Sequence, residues 1–258
     1  MRSNFLILLA VACLTLLTSA ADAEFDKKGL VGAWLFDEGK GKEVKDSSDN
    51  KLHASFDMGK PKWVKGKFGG GLEFDGKSQV TVPDNKLMHL EDFTLSAWMN
   101  SPKISGKWQI LASKENRGVG GNRNYGIFGN INSGVIHYSF TSGGWKSFDA
   151  KTVVTDGKWH YITTTYKNPD FKLYVDGKVD AEVKPGAVPD TPKNKFFIGG
   201  CDIGGYWMTG TLDDIVVFNR ALSEKEINQL MKDGLKTSLA VGAKEKLVTV
   251  WGKLKQTN

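Results

Sequence analysis

Histidine and cysteine are scarce in this 258-residue chain, with four of the first and two of the second. His53, His89, His137 and His160 are scattered, so a histidine-rich metal centre is excluded and core or surface roles are the default for each. There is no His-Glu-x-x-His, no Gly-x-Ser-x-Gly elbow and no Cys-x-x-Cys, which removes the common metalloprotease, hydrolase and thiol-redox signatures. Gly118-Val-Gly-Gly121 lacks the third glycine of a dinucleotide loop. No apolar run after residue 23 is long enough to span a bilayer, which takes about 20 residues. Basic clusters are missing too. The net charge of +6 comes from lysines spread along the whole chain, which solvate a surface and do not mark a nucleic-acid site.

The one long apolar stretch is Phe5 to Leu17, after Met1-Arg2 and before Ala21-Asp22-Ala23. That layout reads as a secretory signal peptide over residues 1–23, cut ahead of Glu24. Its removal takes one charge of each sign, Arg2 and Asp22, and leaves +6 unchanged. Cys13 leaves with it, so Cys201 is alone and no disulfide within the chain can form. Nothing close in sequence would lower the Cys201 pKa, so it reads as a small buried hydrophobe. The expected location is secreted or periplasmic.

From residue 31 to 218 the pattern is that of strands. Val31–Phe36, Leu72–Asp75, Gln79–Val82, Phe93–Met99, Trp108–Ala112, Tyr125–Phe128 and Val135–Phe140 are short runs rich in β-branched and aromatic residues. Trp159–Tyr166, Phe171–Val175, Lys178–Val183 and Phe196–Ile198 continue them, separated by clusters of Gly, Asn, Asp and Ser. Phe93, Leu95, Ala97 and Met99 alternate onto one side, so Trp98 faces the other. Asp176-Gly177 between two alternating runs predicts a tight hairpin. A single helix is expected, with Ser223 and Glu226 as its capping box, Ile227, Leu230 and Met231 as its apolar stripe, and Gly234 as its stop. Lys236–Asn258 forms a polar, Lys-rich tail whose run Leu247–Trp251 reads either as a last strand or as a partner-binding segment.

A phosphate-loop match, Gly71-Leu-Glu-Phe-Asp-Gly-Lys-Ser78, lies between two strand-like runs with no helix to follow. The loop needs a helix N-terminus to hold phosphate, so it reads as a β-turn, and no nucleotide is expected.

The order of the segments resembles a known family. Trp34-Leu-Phe-Asp-Glu38, Asp46-Ser-Ser-Asp-Asn50, Leu72-Glu-Phe-Asp-Gly76, Phe93-Thr-Leu-Ser-Ala-Trp98 and Asp156-Gly-Lys-Trp-His160 are similar to successive blocks of laminin-G-like jelly rolls. Leu173–Lys178, Phe196-Phe-Ile-Gly-Gly200 and Gly210–Ile227 are similar to its closing blocks, so the resemblance covers nearly all of residues 29–235. It implies an all-β, two-sheet antiparallel jelly-roll sandwich of the concanavalin A-like type, with one short C-terminal helix, over 24–235. The family includes lectins, carbohydrate-binding modules, adhesion domains and true glucanases, so the fold implies a class of ligand and not an activity.

A glucanase on this architecture needs carboxylates that flank the scissile bond, typically Glu-x-Asp-x-x-Glu on one strand. No such run is present. Asp213 and Asp214 are adjacent and so are expected on opposite faces, while Glu73 and Asp75 stand alone. The leading reading is therefore a non-catalytic, extracytoplasmic module that recognises carbohydrate or cell-surface glycan. The alternatives are a structural or adhesive domain that binds a surface protein, and a divergent glycoside hydrolase.

Sugar recognition pairs an aromatic platform with polar groups for the hydroxyls. Three expected loops carry that mixture: Glu115–Tyr125, Thr141–Lys146 and Cys201–Met208. Arg123, Asn124, Tyr125, Trp145, Asp202, Tyr206 and Trp207 are the candidate ligand-binding residues, with Asn122 beside them. Trp98 and Trp159 are expected in the core. Asp46, Ser48 and Asn50 alternate hard oxygen donors, which suit Ca²⁺. The resemblance implies a carboxylate from the end of the domain beside that loop. Asp37, Asp46, Asn50 and Asp214 are accordingly the candidate ligands of a structural calcium ion.

Overall fold

The computed structural model describes residues 25–102, 108–118, 121–130 and 132–256, with side chains described as far as residue 240. The leader expected over 1–23 lies outside the described residues. Sixteen strands follow one another along the described chain. They are β1 (Leu30–Trp34), β2 (Glu43–Val44), β3 (Ala54–Met58), β4 (Lys62–Lys65), β5 (Gly70–Asp75) and β6 (Gln79–Val82). Next come β7 (Phe93–Asn100), β8 (Gln109–Asn116), β9 (Asn122–Asn130), β10 (Val135–Thr141) and β11 (Trp145–Val153). Last are β12 (Trp159–Lys167), β13 (Asp170–Val175), β14 (Lys178–Val183), β15 (Phe196–Ile198) and β16 (Thr209–Phe218).

They form two antiparallel sheets. The first runs β14-β13-β12-β7-β16-β5-β4, with β1 also paired to β16, and the second runs β11-β10-β9-β8-β15-β6-β3-β2. The fold is therefore the jelly-roll sandwich that the segment order implies. Rings from both sheets meet between them. Trp34 stacks on Phe196 at 5.3 Å, Phe93 meets Tyr125 at 5.3 Å, and Phe171 meets Tyr138 at 4.1 Å. Each such buried ring contributes about 1.5–3 kcal/mol through lost water contact.

Local chemistry fixes the connections. Asp176 and Gly177 both adopt positive φ, 51° and 77°, the geometry of the tight turn between β13 and β14. The phosphate-loop match is the end of β5 and the turn into β6, which carries the chain from one sheet to the other. The capping box is made: Ser223 N donates to Glu226 Oε2 at 2.7 Å, and Glu226 N donates to Ser223 Oγ at 3.3 Å. The helix α1 (Glu224–Gln256) breaks its backbone at Gly234, with φ 70° and ψ 159°. It then resumes, so Leu247–Trp251 is helical and not the last strand that its apolar run allows.

Ile227, Leu230 and Leu235 from the helix pack against Trp98, Tyr161, Tyr174 and Val216 on the outer face of the first sheet. Trp98 thus faces away from the sandwich core, as its strand alternation requires, but is covered by the helix. Trp159, expected in the core, is half-buried at the edge of this second cluster. With the helix on the first sheet, the site lies on the outer face of the second.

Candidate functional site

The site begins with one extra residue. Across β8 and β9 the partners run Ser113–Gly126, Lys114–Tyr125, then Glu115–Arg123, so Asn124 is left over as a β-bulge. Strict alternation would send Arg123 inward with Tyr125 and Ile127. The bulge shifts the count by one and aims Arg123 outward beside Phe128. Asn124 is held by the backbone of Leu90, accepting from its N–H at 2.9 Å and donating to its carbonyl at 2.7 Å. Tyr125 is fully buried and donates to the carbonyl of Met88 at 3.2 Å. Asn124 and Tyr125 therefore build the strand and do not face a ligand. Alternation alone buries Tyr125 with Ile127, whereas Asn124, which it would expose, is the bulged residue.

Arg123 is itself almost wholly buried on that outer face. Its Nε donates to Glu115 Oε2 at 2.7 Å, Nη2 lies 2.6 Å from the same oxygen, and Nη1 donates to Ser139 Oγ. The guanidinium sits 3.8 Å from the Phe128 ring centroid and 4.9 Å from that of Trp145. Burial pulls its pKa below the ordinary arginine value and Glu115 opposes the shift, so it stays charged.

Around this plane is a cavity of about 240 Å³. Trp108, Trp145 and Tyr206 wall it, and Phe128, His137 and Ser139 lie beneath. Trp145 is 51% exposed and Trp108 36%. Arg117 lies 4.5 Å over the Tyr206 ring. No carboxylate is among the described residues that line the cavity. His137 is bonded to Asp149 at 2.7 Å, yet burial outweighs that carboxylate and lowers its pKa. The chemistry on offer is aromatic faces plus fixed donors, beside the His137–Asp149 pair.

Two of the three expected loops are at least half strand. Trp145 is the first residue of the edge strand β11, and only Arg117–Gly121 of the Glu115–Tyr125 stretch separates β8 from β9. The Cys201–Met208 segment is a true loop, and it lies across the middle of the face. Cys201, Ile203 and Tyr206 pack on Ile110 and Phe128, and Ile110 N donates to the Tyr206 carbonyl at 3.1 Å. Tyr206 borders the cavity on one side, and Trp207 faces a second hollow on the other. Asp202 accepts from Arg117 N at 3.2 Å and Gly118 N at 2.8 Å, so its carboxylate ties two loops together. Cys201 is buried, and burial pushes its thiol up to about 12. Glu115, Cys201 and Asp202 bring ligand atoms within 4.8 Å of one another. Arg123 engages Glu115 Oε2, the Ile203 carbonyl accepts from Cys201 and two loop amides donate to Asp202. Glu115 Oε1 is buried with no hydrogen-bond partner among the described residues.

The residues nominated for calcium do not form one cluster, although Asp37 stands near enough to Asp214 for its charge to raise that carboxyl. Asp37, Asp46 and Asp214 do not bring ligand atoms within 4.8 Å of one another, since among the described residues only the Glu115 group does so. Asp46 is spent: it accepts from Ala33 N at 2.8 Å, Ser48 N at 2.8 Å, Ser48 Oγ at 2.6 Å and Leu52 N at 2.7 Å. The Asn50 amide donates to the Val31 carbonyl at 2.9 Å, and Asp37 accepts from Gly70 N at 3.0 Å and pairs with Lys236 at 3.1 Å. The donor set does not fit one ion. Asp213 and Asp214, expected on opposite faces, both turn towards the helix, because Asp214 adopts φ 44° and bulges β16. Asp213 accepts from Phe68 N at 2.8 Å, and Asp214 Oδ2 lies beside Gly234 and the Phe68 ring. Burial, and for Asp214 also Asp213, pushes both carboxyls up to about 7.

Trp108, Arg117, Phe128, His137, Ser139 and Ser147 escaped the sequence reading. The signal for two of them was present, since His137 and Ser139 alternate with the buried Ile136, Tyr138 and Phe140.

An aromatic-walled cavity on the open sheet of a two-sheet jelly roll defines the class, a concanavalin A-like binding-domain fold. The chain belongs to the concanavalin A-like lectin/glucanases superfamily, whose laminin-G-type family matches residues 74–228. A search of curated proteins found no match. Among solved structures it is similar to the binding domain of Paraclostridial Mosquitocidal Protein 1, at 18% identity and TM-score 0.65, over 79% of this chain and 52% of that one. It is also similar to domain 4 of AbnA, a GH43 extracellular arabinanase from Geobacillus stearothermophilus in complex with arabinotriose. That match has 18% identity and TM-score 0.63, over 79% of this chain and 98% of that one. A Trypanosoma rangeli sialidase matches at 20% identity and TM-score 0.61, over 80% of this chain and 33% of that one. The chain spans about half the length of the toxin binding domain and a third of the sialidase. At these identities the likeness is one of fold.

Proposed function

We propose that the protein is a non-catalytic carbohydrate-recognition module that works outside the cytoplasm, with the cavity at Arg123 as its sugar site. The observation that carries this reading is the lining itself. Trp108, Trp145 and Tyr206 offer flat apolar faces for a pyranose or furanose ring, and Arg117, His137 and Ser139 offer polar groups for its hydroxyls. Arg123 is fixed by Glu115 before any ligand arrives, so little side-chain entropy is lost on binding. A hydrolase would need two carboxyls across the bond to be broken. The lining supplies none. The arabinotriose complex of the AbnA domain supports sugar as the ligand class for this fold. Export is supported by the signal-like residues 1–23, and among the described residues no helix is long and apolar enough to cross a membrane.

The test is an array of neutral and acidic glycans probed with residues 24–258, side by side with Trp145→Ala. Binding to a defined set of glycans, lost in the variant, supports the reading. Wild-type protein that binds no glycan, or release of reducing ends during incubation, overturns it.

A further inference from the structure

Beyond the Cys201–Met208 loop lies the second hollow, about 520 Å³, on the same outer face over β3, β6 and β15. Asp57, Met58, Gln79, Lys195 and Trp207 are among its lining. Gln79 is only 3% exposed. Its Nε2 donates to Asp57 Oδ2 at 3.1 Å, and because a carboxylate only accepts, this bond fixes which way the amide points. Its carbonyl Oε1 is then left buried with no donor among the described residues. The indole N–H of Trp207 is likewise buried with no acceptor.

These two orphans are neighbours. A Cβ placed on Gly200 would stand 2.5 Å from Gln79 Oε1 and 2.7 Å from Trp207 Cδ1, so only glycine lets both groups close over that strand end. A buried acceptor and a buried donor are seldom left unmatched in a folded protein. A hydroxyl within reach of both would accept from the indole through its oxygen and donate its hydrogen to the amide carbonyl. An ammonium cannot accept and a carboxylate cannot donate, so the pair suits a neutral group that does both, as a sugar hydroxyl does. Met58, 44% exposed, adds an apolar surface for the carbon face of a ring.

We propose that the Gln79–Trp207 hollow is a second, hydroxyl-reading subsite, and that the ligand is an oligosaccharide whose units occupy both hollows across the Tyr206-Trp207 ridge. This rests on the sugar reading of the first cavity. Trp207→Phe removes the N–H and keeps an aromatic, if smaller, ring, while Gln79→Leu removes the carbonyl. Titration calorimetry of wild type and both variants would use a panel of neutral oligosaccharides of two to six units and their monosaccharides, with melting temperature as a check on folding.

The expected result is that wild type favours the best oligosaccharide over its monosaccharide by about tenfold or more. Trp207→Phe should lose about tenfold for the oligosaccharide only. If Gln79→Leu does not fold, Trp207→Phe carries the test alone. Equal affinity for oligosaccharide and monosaccharide, or a Trp207→Phe variant that binds the oligosaccharide like wild type, overturns the subsite and leaves the first cavity standing. Wild-type protein that binds neither overturns the sugar reading and the subsite with it. A crystal soaked with the best oligosaccharide that shows a water molecule alone at Gln79 and Trp207 also overturns the subsite.

Discussion

Both Nε and Nη2 of Arg123 converge on one oxygen of Glu115, at 2.7 Å and 2.6 Å, in a pair that solvent barely reaches. Removing two charges from water costs several kcal/mol, which a close pair recovers only in part, so this bridge is poor at stabilising the fold. It holds a guanidinium flat beneath Trp145 and over Phe128, where a ligand would meet it. Glu115→Ala should therefore cost about 3–5 kcal/mol, because Arg123 would remain buried without a counter-charge. Urea unfolding checks this. Glu115→Ala combined with Arg123→Leu should recover part of the loss, and a double variant as unstable as the single would contradict the account.

A pH dependence follows from the Asp213–Asp214 pair. Both carboxyls are raised from 3.8 to about 7 in the folded protein, chiefly by burial. The folded state thus binds more protons than the unfolded chain between about pH 4 and pH 7. Stability from these groups is fully present near pH 4, falls as the pH rises through 7, and is flat above. The melting temperature should drop between pH 5 and pH 8, and Asp214→Asn should flatten the drop. A wild-type profile that rises over that window would refute this.

Asp46 gives a third expectation. Its four accepted hydrogen bonds include the backbone amides of Ala33, Ser48 and Leu52, and its loss strands them. Asp46→Ala should destabilise by about 3 kcal/mol or more. Because the carboxylate serves amides and not an ion, the loss should be the same in millimolar calcium as in a chelator. A calcium-dependent difference between wild type and variant would restore Asp46 as a ligand.

Most of the sandwich was legible because its central strands alternate apolar residues between turn signals, as Phe93–Met99 and Val135–Phe140 do. β11 was not. Ser147, Asp149 and Lys151 give this edge strand a polar outer face, and Trp145 among glycines looks like a loop residue. β2 and β4 were too short to show a period. The site was half legible. Arg123, Trp145 and Tyr206 stood out by type. Tyr125 was misplaced because its alternation with the buried Ile127 was passed over, and Asn124 because no sequence period marks a bulge. Asp213 and Asp214 failed for the same reason, since a residue at positive φ resets which face its neighbours take. Trp207 and Asp202 were correctly put on one loop, but only the packing of Cys201 on Phe128 shows that this loop divides the face.

The central claim, that the cavity walled by Trp108, Trp145 and Tyr206 holds the ligand, is tested most directly by measuring glycan affinity and unfolding free energy on one Trp145→Ala sample. Half-exposed Trp145 should contribute about 1 kcal/mol or less to stability, and its removal should weaken binding by about tenfold or more. Unchanged affinity in a stable variant, or a loss of stability as large as the loss of binding, would contradict the account.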